Sequence, residues 1–250
     1  MKSMKILVVV VLALSFLATA TQARAVTQTL HIDSTQGADT WLWGSLVYGT
    51  WELNYGGDWY LQAQDKLARR VILRFDNPGT IGSPILSATL KLYVTDAPNP
   101  GIGVSVYMIN WPNHGWNEGS STGQFEWFTA TWGHYESYYP PNLGTPWWGR
   151  FGLTIANKDY IVPKVASRWV GENHIGQWVD FDFTPDGLEI LDIRLQHSWN
   201  MDVELLLIAS TNDFRPPAVF ASGEYDECSL LVPPLPSCPG TLGADLIITW

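Results

Sequence analysis

An all-β fold, a sandwich of two antiparallel sheets, is what the sequence predicts, and three observations predict it. Apolar and polar residues alternate in short runs, turn residues separate nearly all of the runs, and helical windows are few. The clearest runs are Arg69-Arg70-Val71-Ile72-Leu73-Arg74-Phe75-Asp76 and Ser87-Ala88-Thr89-Leu90-Lys91-Leu92-Tyr93-Val94. In each, one face is apolar while much of the other is polar or charged, as a half-buried strand requires. Asn77-Pro78-Gly79 and Gly82-Ser83-Pro84 divide the two.

Further strands are predicted at 29–33, 40–43, 104–109, 178–183, 203–209, 219–222 and 246–250. One short helix or helical turn begins at Thr184, which can cap it. Pro185 suits the first helical position, Asp186 and Glu189 favour the positive end of the dipole, and Leu188, Leu191 and Leu195 share a face. Gly187 weakens this helix, and Leu191, Ile193 and Leu195 also alternate as a strand would. Residues 110–173 mix aromatics with Gly, Pro and Asn around a Tyr138-Tyr139-Pro140-Pro141 turn, so they predict long aromatic loops with one or two short strands. Asn54-Tyr55-Gly56 reads as a structural turn ahead of Leu61. No long-period repeat and no Pro-, Ser- or Gly-rich linker divides the chain, which predicts a single domain over 26–250.

The first 25 residues have the form of a secretory signal. Met1, Lys2, Ser3, Met4 and Lys5 make a basic start, an apolar run covers 6–20, and Ala23-Arg24-Ala25 offers a small-x-small exit. That run is short for a membrane span and nothing later in the chain is long and apolar enough for one. The expectation is an exported protein, secreted or at a cell surface. Cleavage after Ala25 removes Lys2, Lys5 and Arg24 and no acid, so the net charge falls from −10 to −13. This balance argues against nucleic acid, whose binding needs a basic face, and against anionic polysaccharide or acidic lipid. Neutral glycan, protein or a bound cation fits better. Cys228 and Cys238 are the two cysteines, and in an exported chain they are expected to form a disulfide. A bridge across so short a loop contributes roughly 2 to 3 kcal/mol.

Fourteen tryptophans in a chain with only 15% charged residues exceed what one core of this size normally uses. Each indole has a large apolar face and one N–H that needs a partner. Trp111, Trp116, Trp127, Trp132, Trp147 and Trp148 fall in the single Gly- and Pro-rich stretch, and aromatics clustered on loops suit sugar rings. The ligand-binding candidates are therefore Trp111, Trp116, Tyr138, Tyr139, Trp147 and Trp148, with Asn117 and Glu118 beside them as hydrogen-bonding groups. Trp41, Trp43 and Trp178 lie in strand patterns and read as core.

An ordered set of segments resembles the DNRLRE domain. In the first half these are Asp39-Thr40-Trp41-Leu42, Asn54-Tyr55-Gly56-Gly57, Arg70-Val71-Ile72-Leu73-Arg74-Phe75-Asp76, Leu86-Ser87-Ala88-Thr89-Leu90-Lys91-Leu92-Tyr93-Val94 and Val104-Ser105-Val106-Tyr107. In the second half they are Trp116-Asn117-Glu118-Gly119, Thr131-Trp132, Trp178-Val179-Asp180-Phe181-Asp182-Phe183-Thr184, Leu205 to Ala209, Phe220-Ala221-Ser222-Gly223-Glu224 and Leu246-Ile247-Ile248-Thr249. The hexapeptide Asp-Asn-Arg-Leu-Arg-Glu itself is absent. The resemblance implies a jelly-roll-like β-sandwich from secreted or surface proteins, related to disaggregatase-attached and carbohydrate-binding modules, in which catalysis resides in another domain.

No zinc-protease helix or phosphate-cradling loop is present, and the one Gly-x-Ser-x-Gly spacing, Gly119-Ser120-Ser121-Thr122-Gly123, lies in the loop-rich stretch without the strand before it and helix after it that make a nucleophile elbow. His31, His114, His134, His174 and His197 are scattered. Glu118, Glu126 and Glu136 are the carboxylates among the aromatics that a glycosidase would need. Asp180 and Asp182, two apart in a strand, share a face. They read as solvated carboxylates, with structural Ca²⁺ between them or neutralisation by Arg70 and Arg74 as alternatives. No other cofactor is expected. The expected function is a non-catalytic module that binds polysaccharide or another extracellular surface component. A structural subunit of a filament or coat is the first alternative, and a small glycan-active hydrolase or lyase the second.

Overall fold

A computed structural model describes residues 25–33, 36–44, 53–64, 68–124, 126, 129–131, 134–136, 145–147, 151–197, 202–210, 215–223, 225 and 242–250. Its strands are β1 (Thr27–His31), β2 (Ala38–Trp43), β3 (Tyr60–Ala63), β4 (Arg69–Phe75), β5 (Ser87–Asp96), β6 (Ile102–Met108), β7 (His134–Glu136), β8 (Thr145–Pro146), β9 (Ala166–Val170), β10 (Gln177–Asp182), β11 (Val203–Ala209), β12 (Ala218–Ala221) and β13 (Asp245–Thr249). One α-helix, α1 (Pro185–His197), lies between β10 and β11. The protein is an all-β sandwich of two antiparallel sheets, as its alternating runs predict.

The first sheet is built around β5. On one flank β5 pairs with β10, and on the other with β13 over residues 87–91 and then β12 at 94 and 96. β1 extends the sheet beyond β13, and β3 extends it beyond β12. The second sheet runs β2-β4-β11-β6-β9. Isolated bridges Gln64↔Arg69 and Ala166↔Phe183 join the sheets at opposite margins. β3 is a strand that the sequence did not signal, and the segment 110–173, predicted to hold one or two short strands, holds three among the described residues, β7, β8 and β9.

Strict alternation places Ala88, Leu90, Leu92 and Val94 of β5 and Val179 and Phe181 of β10 in the space between the sheets. There they meet Val71, Leu73, Val104, Val106, Leu205 and Leu207 of the second sheet. The second sheet is apolar on its outer side too: Leu42, Ile72 and Leu206 alternate with those inward residues and belong to a separate buried cluster with Trp116, Trp147 and Leu153. The irregular segment after β6 therefore folds back as a cover on this sheet. Arg70 Nη1 anchors it by donating to the carbonyls of Gly152 at 2.8 Å and Leu153 at 2.5 Å, and Arg74 Nη1 donates to the carbonyl of Trp116.

The helix starts as its sequence predicts. Thr184 Oγ1 accepts from the Gly187 amide at 3.1 Å, and Leu191 is fully buried. Gly187 is needed for packing: a Cβ there would stand 2.4 Å from the carbonyl oxygen of Val165. Among the described residues no helix is long and apolar enough to cross a membrane. Cys228, Cys238, Tyr138, Tyr139 and Trp148 lie outside the described residues.

Candidate functional site: the open face of the first sheet

With the second sheet covered, the outer face of the first sheet is the broad regular surface that meets solvent. Along β5 the outward residues are Thr89, Lys91 and Tyr93, and on β10 they are Asp182, Asp180 and Trp178. Register makes three cross-strand rungs of them: Tyr93 with Trp178, Lys91 with Asp180, and Thr89 with Asp182. Rungs two residues apart are about 7 Å apart along the strand, so the ladder spans about 14 Å.

The top rung is aromatic. Trp178 is 37% exposed and meets Tyr93 edge-on, with ring centroids 5.7 Å apart at 72°. The Lys91 ammonium lies 5.9 Å from the indole centroid, inside cation–π range. The middle rung continues sideways. Lys91 is in register with Asp180 on one side and Asp245 on the other, and Asp245 in turn with His31 on β1. His31 Nδ1 and Asp245 Oδ1 are 2.6 Å apart. In the lowest rung Thr89 Oγ1 donates to Asp182 Oδ1 at 2.8 Å. The face thus offers an indole edge and ring beside alternating acceptors and a donor, which is what a polyhydroxylated ring needs.

The structure departs from the sequence expectations at several of these positions. Trp178, read as core, is exposed because its strand turns that side to water. Trp116 and Trp147, read as ligand platforms, are 0% and 1% exposed and form the core of the cover. Trp147 Nε1 donates to the Thr131 carbonyl at 2.9 Å. Both indoles are held by the apolar outer side of the second sheet. Trp111 does stand outward, 53% exposed and 4.5 Å from the His114 ring, on a 3₁₀ turn over Trp111–Asn113. Asn117 is exposed and its carbonyl accepts from the Ala130 amide at 2.7 Å, while Glu118 is half-buried beside Gly56. Burial thus takes Trp116 and Trp147 out of any stacking surface, and among the described aromatic candidates Trp111 is the one that stands outward.

Asp180 and Asp182 share the outer face, as their spacing predicts. Their neighbours are Lys91 and Thr89. Arg70 and Arg74 belong to the other sheet and are spent on the cover, so they do not neutralise the pair. Among the described residues no group of three or more His, Cys, Asp or Glu side chains gathers as a metal site. Of the acidic residues in the loops, Glu126 is occupied by the amides of Ser120 and Ser121 at 2.7 and 2.9 Å. A polar cleft of about 200 Å³ lies between β1 and Asp76-Asn77-Pro78. It is smaller than the roughly 300–1,000 Å³ typical of pockets that enclose a small molecule.

Among the described residues one carboxylate is strongly perturbed, and it lies away from this face. Glu204 on β11 is 1% exposed, accepts from the Gly115 amide at 2.8 Å and stands 3.6 Å from Arg194 of α1. Burial pushes its pKa up to about 7, outweighing the Gly115 bond and the Arg194 charge, which lower it. It links sheet, helix and cover, a structural placement.

No protein-family model matches the chain, and no curated protein matches it. The likeness to DNRLRE domains rests on the ordered motifs alone.

Proposed function

We propose that this protein is an exported, non-catalytic β-sandwich that binds neutral polysaccharide on the open face of its β10–β5–β13–β1 sheet. The observation that carries the reading is Trp178, exposed on a rigid strand, braced by Tyr93 and followed by the Lys91–Asp180 and Thr89–Asp182 rungs. An indole contributes apolar contact to the flat side of a sugar, and carboxylates and the ammonium accept from or donate to its hydroxyls. Rigid strands hold these groups without the ordering cost that a loop incurs on binding. The signal-like start, the acidic balance and the resemblance to carbohydrate-associated DNRLRE domains favour the same reading.

Isothermal calorimetry against soluble neutral hexaoses, after a glycan-array screen, tests it. Replacing Trp178 with Ala is expected to weaken binding by about tenfold or more, and Tyr93→Ala by less. Binding to no glycan, or an affinity indifferent to Trp178, removes the proposal.

A structural subunit is the second reading. β1 closes one path of the first sheet, and its flank away from β13 pairs with no strand among the described residues. Open edges of this kind can pair between molecules. Concentration-dependent assembly without glycan affinity favours it.

A further inference from the structure

Trp169 is 55% exposed on β9, the margin strand of the second sheet, just beyond the cover. Its neighbours Ala166 and Val170 are buried in the central core, so Trp169 and Ser167 face the opposite way, out of the sandwich. On that outer side Trp169 is in register with Gly103 of β6. A Cβ at Gly101 would lie 2.6 Å from the indole Nε1, and one at Gly103 would lie 3.9 Å from Cε3. The ring therefore spans two glycines, which act as a floor that no other residue type allows at Gly101. Its far side meets solvent.

Hydroxyls and one guanidinium border this ring. Exposed Ser167 is in register with the buried Ser105, Ser210 Oγ donates to the Gly103 carbonyl at 3.1 Å, and Arg215 Nη1 donates to the Gly101 carbonyl at 3.0 Å. An apolar ring beside serine hydroxyls and a guanidinium already bonded to a carbonyl complements a polyhydroxylated ligand, with the ring taking the flat side and the polar groups the hydroxyls. The net charge of −10 disfavours an acidic one.

We propose that Trp169 is a second stacking platform for neutral sugar, so that one molecule grips two polysaccharide chains, one on each outer side of the sandwich. The inference rests on the reading of Trp178 as the first platform. β9 and β10 follow one another through the turn at 171–176 and belong to different sheets. Trp169 and Trp178 therefore point to opposite sides, and a single short chain cannot cover both. The function that results is cross-linking.

Calorimetry with cellohexaose, xylohexaose, mannohexaose and laminarihexaose reads the number of sites. Two hexaoses per protein are expected, one for Trp169→Ala, one for Trp178→Ala and none for the double variant. Turbidity of the matching long polymer, a measure of cross-linking, is expected to vanish in either single variant. In the Trp178→Ala protein, saturating hexaose is expected to shield an indole from iodide quenching, a readout that does not depend on the folding of Trp169→Ala. A single site lost with Trp178 and untouched by Trp169, or unchanged quenching in Trp178→Ala, overturns this inference and leaves the open-face reading standing. If no hexaose binds the wild-type protein, both are overturned.

Discussion

Glu204 and Arg194 face each other across 3.6 Å with side chains 1% and 7% exposed, and the ion pair does not set the behaviour of the carboxyl. Burial does, because the cost of removing the charge from water exceeds what one guanidinium at that distance returns. The Glu204 pKa near 7 stands above its ordinary value of 4.5, so folding favours the protonated form. This contribution to stability is full below about pH 4.5 and is lost as pH rises through 7. It amounts to at most about 3 kcal/mol. Glu204→Gln is expected to flatten the dependence of the denaturation midpoint between pH 5 and 8, chiefly by raising the value at pH 8. Parallel pH profiles for the two proteins would refute this.

Trp116 and Trp178 predict opposite outcomes for the same chemical change. Trp116 is fully buried under the cover, and its replacement by Ala is expected to cost about 3 to 5 kcal/mol, with Trp147→Ala in the same range. Trp178→Ala is expected to cost under about 1 kcal/mol, the scale of one cross-strand pair, while weakening glycan binding. Urea denaturation of the three variants checks the order.

Gly187→Ala is expected to destabilise by about 1 to 3 kcal/mol, the usual range for overpacking. Intrinsic helix preference favours Ala over Gly by about 1 kcal/mol. Here the added methyl would press on the Val165 carbonyl from 2.4 Å, and that oxygen is backbone, which cannot swing aside. A rise in melting temperature for this variant would show that the helix can shift on the sheet.

Asn54 holds the start of the cover in place with one side chain. Its Oδ1 accepts from the Gly56 amide at 3.0 Å, and its Nδ2 donates to the carbonyls of Ala130 at 3.0 Å and Glu118 at 2.5 Å. Asn54→Ala leaves these buried groups unpaired, at a cost of about 2 to 3 kcal/mol. Asn54→Asp is expected to be worse, because a carboxylate cannot donate and would face two carbonyl oxygens. A milder effect for Asp than for Ala in equilibrium unfolding contradicts this account.

Much of the fold was legible because water leaves a mark on exposed strands. Ser87 to Asp96 alternates residue by residue, and the structure turns one side of it to solvent. Thr184 and Pro185 signalled the helix start through chemistry that acts within one turn. Reading Trp178 as core counts its hydrophobicity and overlooks the parity it shares with Asp180 and Asp182, which puts it on the open face. The covered face left a signal too. Val71-Ile72-Leu73 and Leu205-Leu206-Leu207 are continuous apolar runs, which occur where both sides of a strand are buried. The reading of Arg69–Asp76 as a half-buried strand passes over this, and the structure corrects it: Ile72 is buried as well as Val71 and Leu73, because Trp116, Trp147 and Leu153 lie on its outer side. β3 and β9 carried no such mark: Tyr60–Ala63 is short, and Ala166–Val170 has three exposed residues in succession at a sheet margin.

A connection that roofs a sheet is no longer free to drift as surface connections ordinarily do. Trp116, Trp147 and Leu153 are constrained by the contours of Leu42, Ile72 and Leu206 beneath them. The outward positions of β5 and β10 answer only to whatever they touch. The usual order of tolerance is thereby inverted: substitution is expected to be resisted at these roofing positions and accepted at the outward positions of the regular strands.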